Sequence, residues 1–186
     1  MGRLRHLFVL VVVGSAPLEM SCSTVAGAEM LQPGSTAPSL RALDQTGRAR
    51  TLEEFRGRPL VVFFYPKDGT PGCTAEACAF RDAWQRYEEA GVSVVGVSTD
   101  TVEAHARFAD EHGLPFPLLA DVDAAIAKAW GVGVTFGMTH RVSYLLDGGG
   151  RIARVFPDVV PGFHAGEVLA AAAALPTSSI GQTATP

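Results

Sequence analysis

The run Leu60-Val61-Val62-Phe63-Phe64-Tyr65, closed off by Pro59 and Pro66, constrains this chain more than any other feature. Six consecutive apolar residues, rich in β-branched and aromatic side chains, leave no polar face for water, so the strand they form must be covered on both sides. Such strands lie inside α/β sheets. A second run of the same kind, Val92 to Val97, comes after one helical stretch. In that stretch Ala77, Phe80, Trp84 and Tyr87 recur at helical spacing and predict one helix with an apolar face, stopping near Gly91. A short hairpin, Leu40 to Leu43 with Arg50 to Leu52, precedes this unit around the turn Asp44-Gln45-Thr46-Gly47. After it come a helix from about Thr101 to His112, a short strand over Phe116 to Leu119 and a short helix over Ala124 to Trp130. A hairpin of Val142 to Leu146 with Ile152 to Phe156, turning on Gly148-Gly149-Gly150, and a helix from Gly166 to Leu175 complete the order. Helices alternating with buried strands predict a three-layer α/β/α sandwich around a mixed central sheet.

The 186 residues, 47% of them hydrophobic and 18% charged, suffice for one such domain and argue against disorder, a fibre or a coiled coil. A net charge of -4 offers no broad cationic surface, which argues against nucleic acid. Residues 1–28 have a different character. Arg3, Arg5 and His6 precede the apolar run Leu7 to Val13 and a stretch of small residues ending in Ala26-Gly27-Ala28, the layout of a secretory signal peptide. The run is too short for a stable membrane span. The expectation is an exported protein, periplasmic or extracellular, with residues 29–175 as the domain and 176–186 as a flexible tail; the alternatives are a lipid anchor at Cys22 and an uncleaved or misassigned start.

Three cysteines are too few for a disulfide scaffold, and His105, His112, His140 and His164 do not fall at metal-ligand spacing. Chemistry therefore rests on individual thiols. Cys73 follows the first buried strand and a Gly/Pro-rich loop, Pro66 to Gly72, and falls in the first turn of the predicted helix. Unpaired backbone N–H groups and the positive end of the helix dipole favour a thiolate in that position, at the sheet edge where α/β proteins place their sites. Cys78 is five residues on. On an ideal helix that spacing means about 7.5 Å of rise and Cα atoms roughly 8 to 9 Å apart, beyond the ~7 Å reach of a disulfide. A Cys73–Cys78 bond therefore requires the first helical turn to unwind.

The segment Pro66-x-x-x-Thr70-x-x-Cys73, with Thr70-Pro71-Gly72-Cys73-Thr74-x-Glu76-x-Cys78 and Phe80-Arg81-Asp82, resembles the peroxiredoxins, in particular the bacterioferritin comigratory protein or peroxiredoxin Q branch. The likeness runs from about Gly34 to Leu175, through Gly96-Val97-Ser98-x-Asp100, Leu118-Leu119-x-Asp121 and Ala127-Lys128-Ala129-Trp130-Gly131-Val132. It implies a thioredoxin-like fold and a peroxidase that needs no cofactor and no metal. By the same resemblance Cys73 is the peroxidatic cysteine and Cys78 the resolving one, Thr70 hydrogen-bonds Cys73 or the peroxide, and Arg141 is the active-site arginine. Pro66 and Pro71 are expected to shield and stiffen the loop. The implied partners are a peroxide and a thioredoxin-like reductant, and the implied state is a monomer.

Two other functions stay open on the residues alone. A thiol-disulfide oxidoreductase could use the same fold, although that chemistry ordinarily employs C-x-x-C. An envelope protein could carry Cys73–Cys78 as a purely structural disulfide. Arg141 has an alternative acidic partner in Asp147, and Trp84, Tyr87 and Trp130 are expected in the core rather than on a ligand.

Overall fold

The alternation of β3 (Leu60–Phe64) explains the whole architecture. Val61 and Phe63, with the following Tyr65, face one cluster of buried residues, while Leu60, Val62 and Phe64 face another. The expected two-sided burial is therefore met residue by residue. The computed structural model describes residues 29–176, so the leader at 1–28 and all but the first residue of the tail at 176–186 lie outside the described residues.

The central sheet has five strands in the order β5-β4-β3-β8-β9. β3 runs parallel to β4 (Ser93–Ser98), and β4 runs parallel to β5 (Leu118–Ala120). On its other side β3 pairs antiparallel with β8 (Val142–Leu146), which pairs with β9 (Ile152–Phe156). Helices α1 (Pro71–Asp82), α2 (Trp84–Glu89), α3 (Val102–His112) and α5 (Pro161–Ala173) contribute to the first cluster through Phe80, Tyr87, Phe108 and Val168. The second is covered by α4 (Ala125–Ala129), Trp130 and the opening hairpin of β1 (Arg41–Leu43) and β2 (Ala49–Thr51), with a 3-10 turn at Leu52–Phe55. This is the three-layer α/β/α arrangement with a mixed sheet that the element order predicts, and the thioredoxin-like fold that the resemblance implies.

Three local features differ from the sequence expectation. The single helix expected to end near Gly91 breaks at Ala83, where the backbone leaves helical geometry between α1 and α2. With this break Tyr87 buries completely and donates its hydroxyl to the Ala165 carbonyl at 2.7 Å, so tertiary contact outweighs the continuous helical stripe. The last helix starts at Pro161 rather than Gly166, because proline at a first helical position loses no hydrogen bond and supplies the right φ. A small hairpin of β6 (Val134–Thr135) and β7 (Met138–Thr139) has no sequence signal. It turns on Phe136 and Gly137, both with positive φ, and phenylalanine is not a residue that advertises such a turn.

Packing at the sheet centre is tight at Gly96 on β4. A Cβ there would come within 2.7 Å of Leu118 and 2.8 Å of the Phe63 ring, which itself stacks on Phe80 at 4.8 Å. Gly96→Ala is expected to destabilise the protein by about 1–3 kcal/mol through overpacking. Urea unfolding should show a lower midpoint with an unchanged slope.

Candidate active site

The thiol of Cys73 is buried in the first turn of α1, directly beyond the carboxyl end of β3. Thr70 is the residue before the helix, Pro71 occupies its first position, and the Thr74 N–H returns to the Thr70 carbonyl at 2.9 Å. Pro71 has no N–H, and those of Gly72 and Cys73 have no partner within the helix and remain available to an anion or to a bound oxygen. Arg141 Nη2 donates to Cys73 Sγ at 3.1 Å. Its Nη1 donates to Glu76 Oε2, so one guanidinium joins the sulfur to a carboxylate one helical turn further on. Gly72 leaves room for this approach: a Cβ there would stand 3.3 Å from Arg141 Nη2, a tight contact, and 3.8 Å from the ring of Pro161.

Sheet topology delivers the arginine. Because β8 is antiparallel to β3, with Val142 opposite Phe64, the residue before β8 lies at the same sheet edge as the start of α1. Asp147, the other partner open to Arg141, instead accepts the N–H groups of Gly149 and Arg151 at 2.9 Å in the β8–β9 turn.

Glu76 was legible only as a letter in the motif, not as a member of the cluster. It is fully buried, and its Oε1 finds no hydrogen-bond partner among the described residues. Burial pushes this carboxyl up to about 7, against the pull of Arg141. Below that pH it tends to neutrality and leaves the guanidinium to the sulfur; above it, carboxylate and sulfur share the same cation.

Thr70 does not pair with Cys73. Its hydroxyl donates to the Lys67 carbonyl at 3.0 Å, which spends the proton and leaves the oxygen as an acceptor. Pro66 is half-buried and opens the loop behind β3. Cys78 lies on the same helix as Cys73, partly exposed, and both thiols are free. It borders an open cleft of about 430 Å³ between α1 and α5, lined by Ala75, Ala79, Ala165 and Gly166, with Asp82 and Arg86 also at its wall. Tyr87 and Trp130 are core residues, and Trp84 is half-buried against Phe116. Among the described residues no group of His, Cys, Asp and Glu is arranged to hold a metal ion, and no helix is long and apolar enough to cross a membrane.

Glu76 also couples folding to pH. Its folded-state value lies above the ordinary 4.5, so the native state holds the proton more tightly than the unfolded chain. The associated stability is complete below about pH 4.5 and is lost as pH rises through about 7. Glu76→Gln should remove up to about 3 kcal/mol of the stability difference between pH 5 and pH 8. Parallel urea titrations of both proteins at the two pH values measure it.

Comparison with known proteins agrees with this geometry. Residues 33–155 match the AhpC/TSA family. Peroxiredoxin Q, chloroplastic, of Oryza sativa subsp. japonica is 44% identical over 139 residues, covering 73% of this chain. The match spans 64% of the rice protein, just under two thirds of its length. Peroxiredoxin Bcp of Escherichia coli strain K12 is 40% identical over 146 residues, 75% of this chain and 94% of the relative. Among solved structures, peroxidoxin BcpB of Mycobacterium tuberculosis superposes with a TM-score of 0.74 at 34% identity, covering 78% of this chain and 99% of that one. These relatives correct the expected location. Export was read from residues 1–28, yet where a relative's name gives a compartment it is the chloroplast, and the family match starts only at residue 33. A basic, apolar and small-residue leader is a composition that targeting segments for different compartments partly share, so its layout did not justify periplasmic or extracellular export, nor an anchor at Cys22. With its domain matched from residue 33 to 155 and its relatives named peroxiredoxin Q and Bcp, the chain belongs to the AhpC/TSA family, in the peroxiredoxin Q/Bcp branch.

Proposed function

We propose that this protein is a thiol-dependent peroxidase that reduces hydrogen peroxide and organic hydroperoxides, with Cys73 as the peroxidatic residue. The observation that carries the reading is the arginine hydrogen bond to a buried sulfur in the first turn of a helix. A guanidinium and a set of free N–H groups stabilise negative charge both on the attacking sulfur and on the oxygen that departs.

In the first step the Cys73 thiolate attacks one peroxide oxygen. The S–O bond forms as the O–O bond breaks, and the other oxygen takes up a proton and leaves as water or an alcohol. Arg141 steadies the charge moving across the O–O bond. Thr70, whose own proton is committed to Lys67, accepts the hydrogen of the hydroperoxide and fixes which oxygen faces the sulfur. The ring of Pro161 stands beside Gly72 and, with the exposed Val160 and Phe163 that flank it in the chain, is the apolar surface we assign to an organic substituent.

In the second step the Cys78 thiol condenses with the Cys73 sulfenic acid, forming the disulfide and releasing water. Both cysteines lie on α1, so the bond requires its first turn to unwind and needs no second protomer. A thioredoxin-like dithiol then reduces the disulfide and is itself oxidised. Cys78 is half-exposed at an open cleft, which gives such a reductant a route to this cysteine. The five-residue spacing within one helix favours this cycle over a dithiol exchange enzyme.

Stopped mixing of the reduced protein with peroxide, followed by mass analysis of both cysteines, tests the assignment. Cys73→Ser should abolish turnover. Cys78→Ser should retain the first oxidation and accumulate sulfenic, then sulfinic, Cys73. Arg141→Met should slow the first step by roughly 10²–10³-fold, the usual effect of deleting one such donor. Undiminished peroxide consumption by Cys73→Ser overturns the reading.

A further inference from the structure

A buried hydrogen-bonded cluster stands directly behind the loop that leads into α1. His105, on α3, is fully buried, with Nε2 at 3.2 Å from the Leu119 carbonyl and Nδ1 at 2.8 Å from Asp68 Oδ2. Asp68 Oδ1 accepts the hydroxyl of Tyr65 at 2.8 Å. The Asp68 N–H donates to Asp100 Oδ2 at 2.9 Å, which also accepts the Ser98 hydroxyl at 2.7 Å. Tyr65 is tied down in turn, its N–H to the Val97 carbonyl and its own carbonyl to the Thr139 hydroxyl.

Donor and acceptor rules determine the protons here. A carbonyl can only accept, so Nε2 must carry hydrogen. A neutral ring would then set the bare lone pair of Nδ1 against a carboxylate oxygen at 2.8 Å. The contact is attractive only with a second proton between them. That proton bridges His105 Nδ1 and Asp68 Oδ2, while Asp68 Oδ1 accepts from Tyr65, whose hydroxyl also lies 3.4 Å from Nδ1. The result is a ring and a carboxyl group joined by one bridging proton away from water, whose partners come from the ends of β3 and β5, the loop after β4, and α3.

The geometry points to His105 as a positioning residue for the peroxidase reaction: by clasping Asp68 to α3 and Leu119 it fixes the loop 66–70, and with it Thr70 and the turn that carries Cys73. The inference rests on the peroxidase reading. Its physical content is that the loop has few other anchors, and that misplacing a nucleophile by about 1 Å can cost about 10²-fold in rate. The clasp lies before Pro71, so it can stay closed while the first turn of α1 unwinds. It therefore acts on the first oxidation and not on disulfide formation.

The test combines three variants with a spectroscopic measurement. His105→Leu and Asp68→Ala should slow the first oxidation of Cys73 by roughly 10- to 100-fold while leaving the rate of the following Cys73–Cys78 condensation unchanged. Asp68→Asn should restore the first rate to within about threefold of the parent, since its amide can donate to the Nδ1 of a neutral imidazole while its oxygen still accepts from Tyr65. Proton and nitrogen-15 NMR of the unmutated protein should show the bridging proton of the His105–Asp68 bond far downfield, besides the Nε2–H. Absence of that bridging proton, an Asp68→Asn variant as slow as Asp68→Ala, or an equal slowing of both steps overturns the proposal. Lack of peroxide reduction by the unmutated protein would count against the peroxidase reading alone, because the NMR result is independent of activity.

Discussion

One guanidinium shared between a sulfur and a carboxylate organises the active end of this protein. Arg141 is only partly exposed where it lies over Cys73, and its pairing with the buried Glu76 offsets part of the cost of drawing that cation away from water. The three groups come from two directions. Cys73 and Glu76 share a face of α1 at i and i+3, while Arg141 arrives from the start of β8. The antiparallel pairing of β8 with β3 brings these together, since it sets the beginning of one strand beside the end of the other. Had β8 run parallel to β3, its first residue would lie at the far pole of the sheet.

The fold was legible because its strongest signals are local and redundant. β3 is apolar along its whole length and β4 between its two terminal serines, and the glycine turn at 148–150 marks a hairpin without help from tertiary structure. What escaped was decided by distant contacts. The break at Ala83 accompanies the seating of Tyr87 beneath Ala165, 78 residues away, and no periodicity within the helix announces it. The β6–β7 hairpin is held by Thr99 and Thr139, which bond to Gly137 and Tyr65 across the top of the sheet.

The candidate site divides along the same line. Cys73, Cys78 and Arg141 stand out by residue type, spacing and resemblance, and the structure joins the first to the third while leaving Cys78 on the same helix. The role of Glu76 depends on which face of α1 meets Arg141, and that of His105 on the approach of α3 to the loop after β3. Both residues read as ordinary polar letters in sequence. Thr70 shows a subtler limit, because its residue type was clear but the direction of its hydroxyl was set by Lys67.

The aromatic stack of Phe80 on Phe63 gives α1 two mechanically unequal halves. The later half, with Ala77 and Phe80, is embedded in the core, whereas the opening turn has Pro71 exposed and Gly72 without a side chain to hold it. Torsion applied at Cys73 is thus stopped by an aromatic mooring before it reaches the sheet. The cycle proposed for Cys73 and Cys78 would then bend a few residues and return them, while the rest of the scaffold keeps its shape.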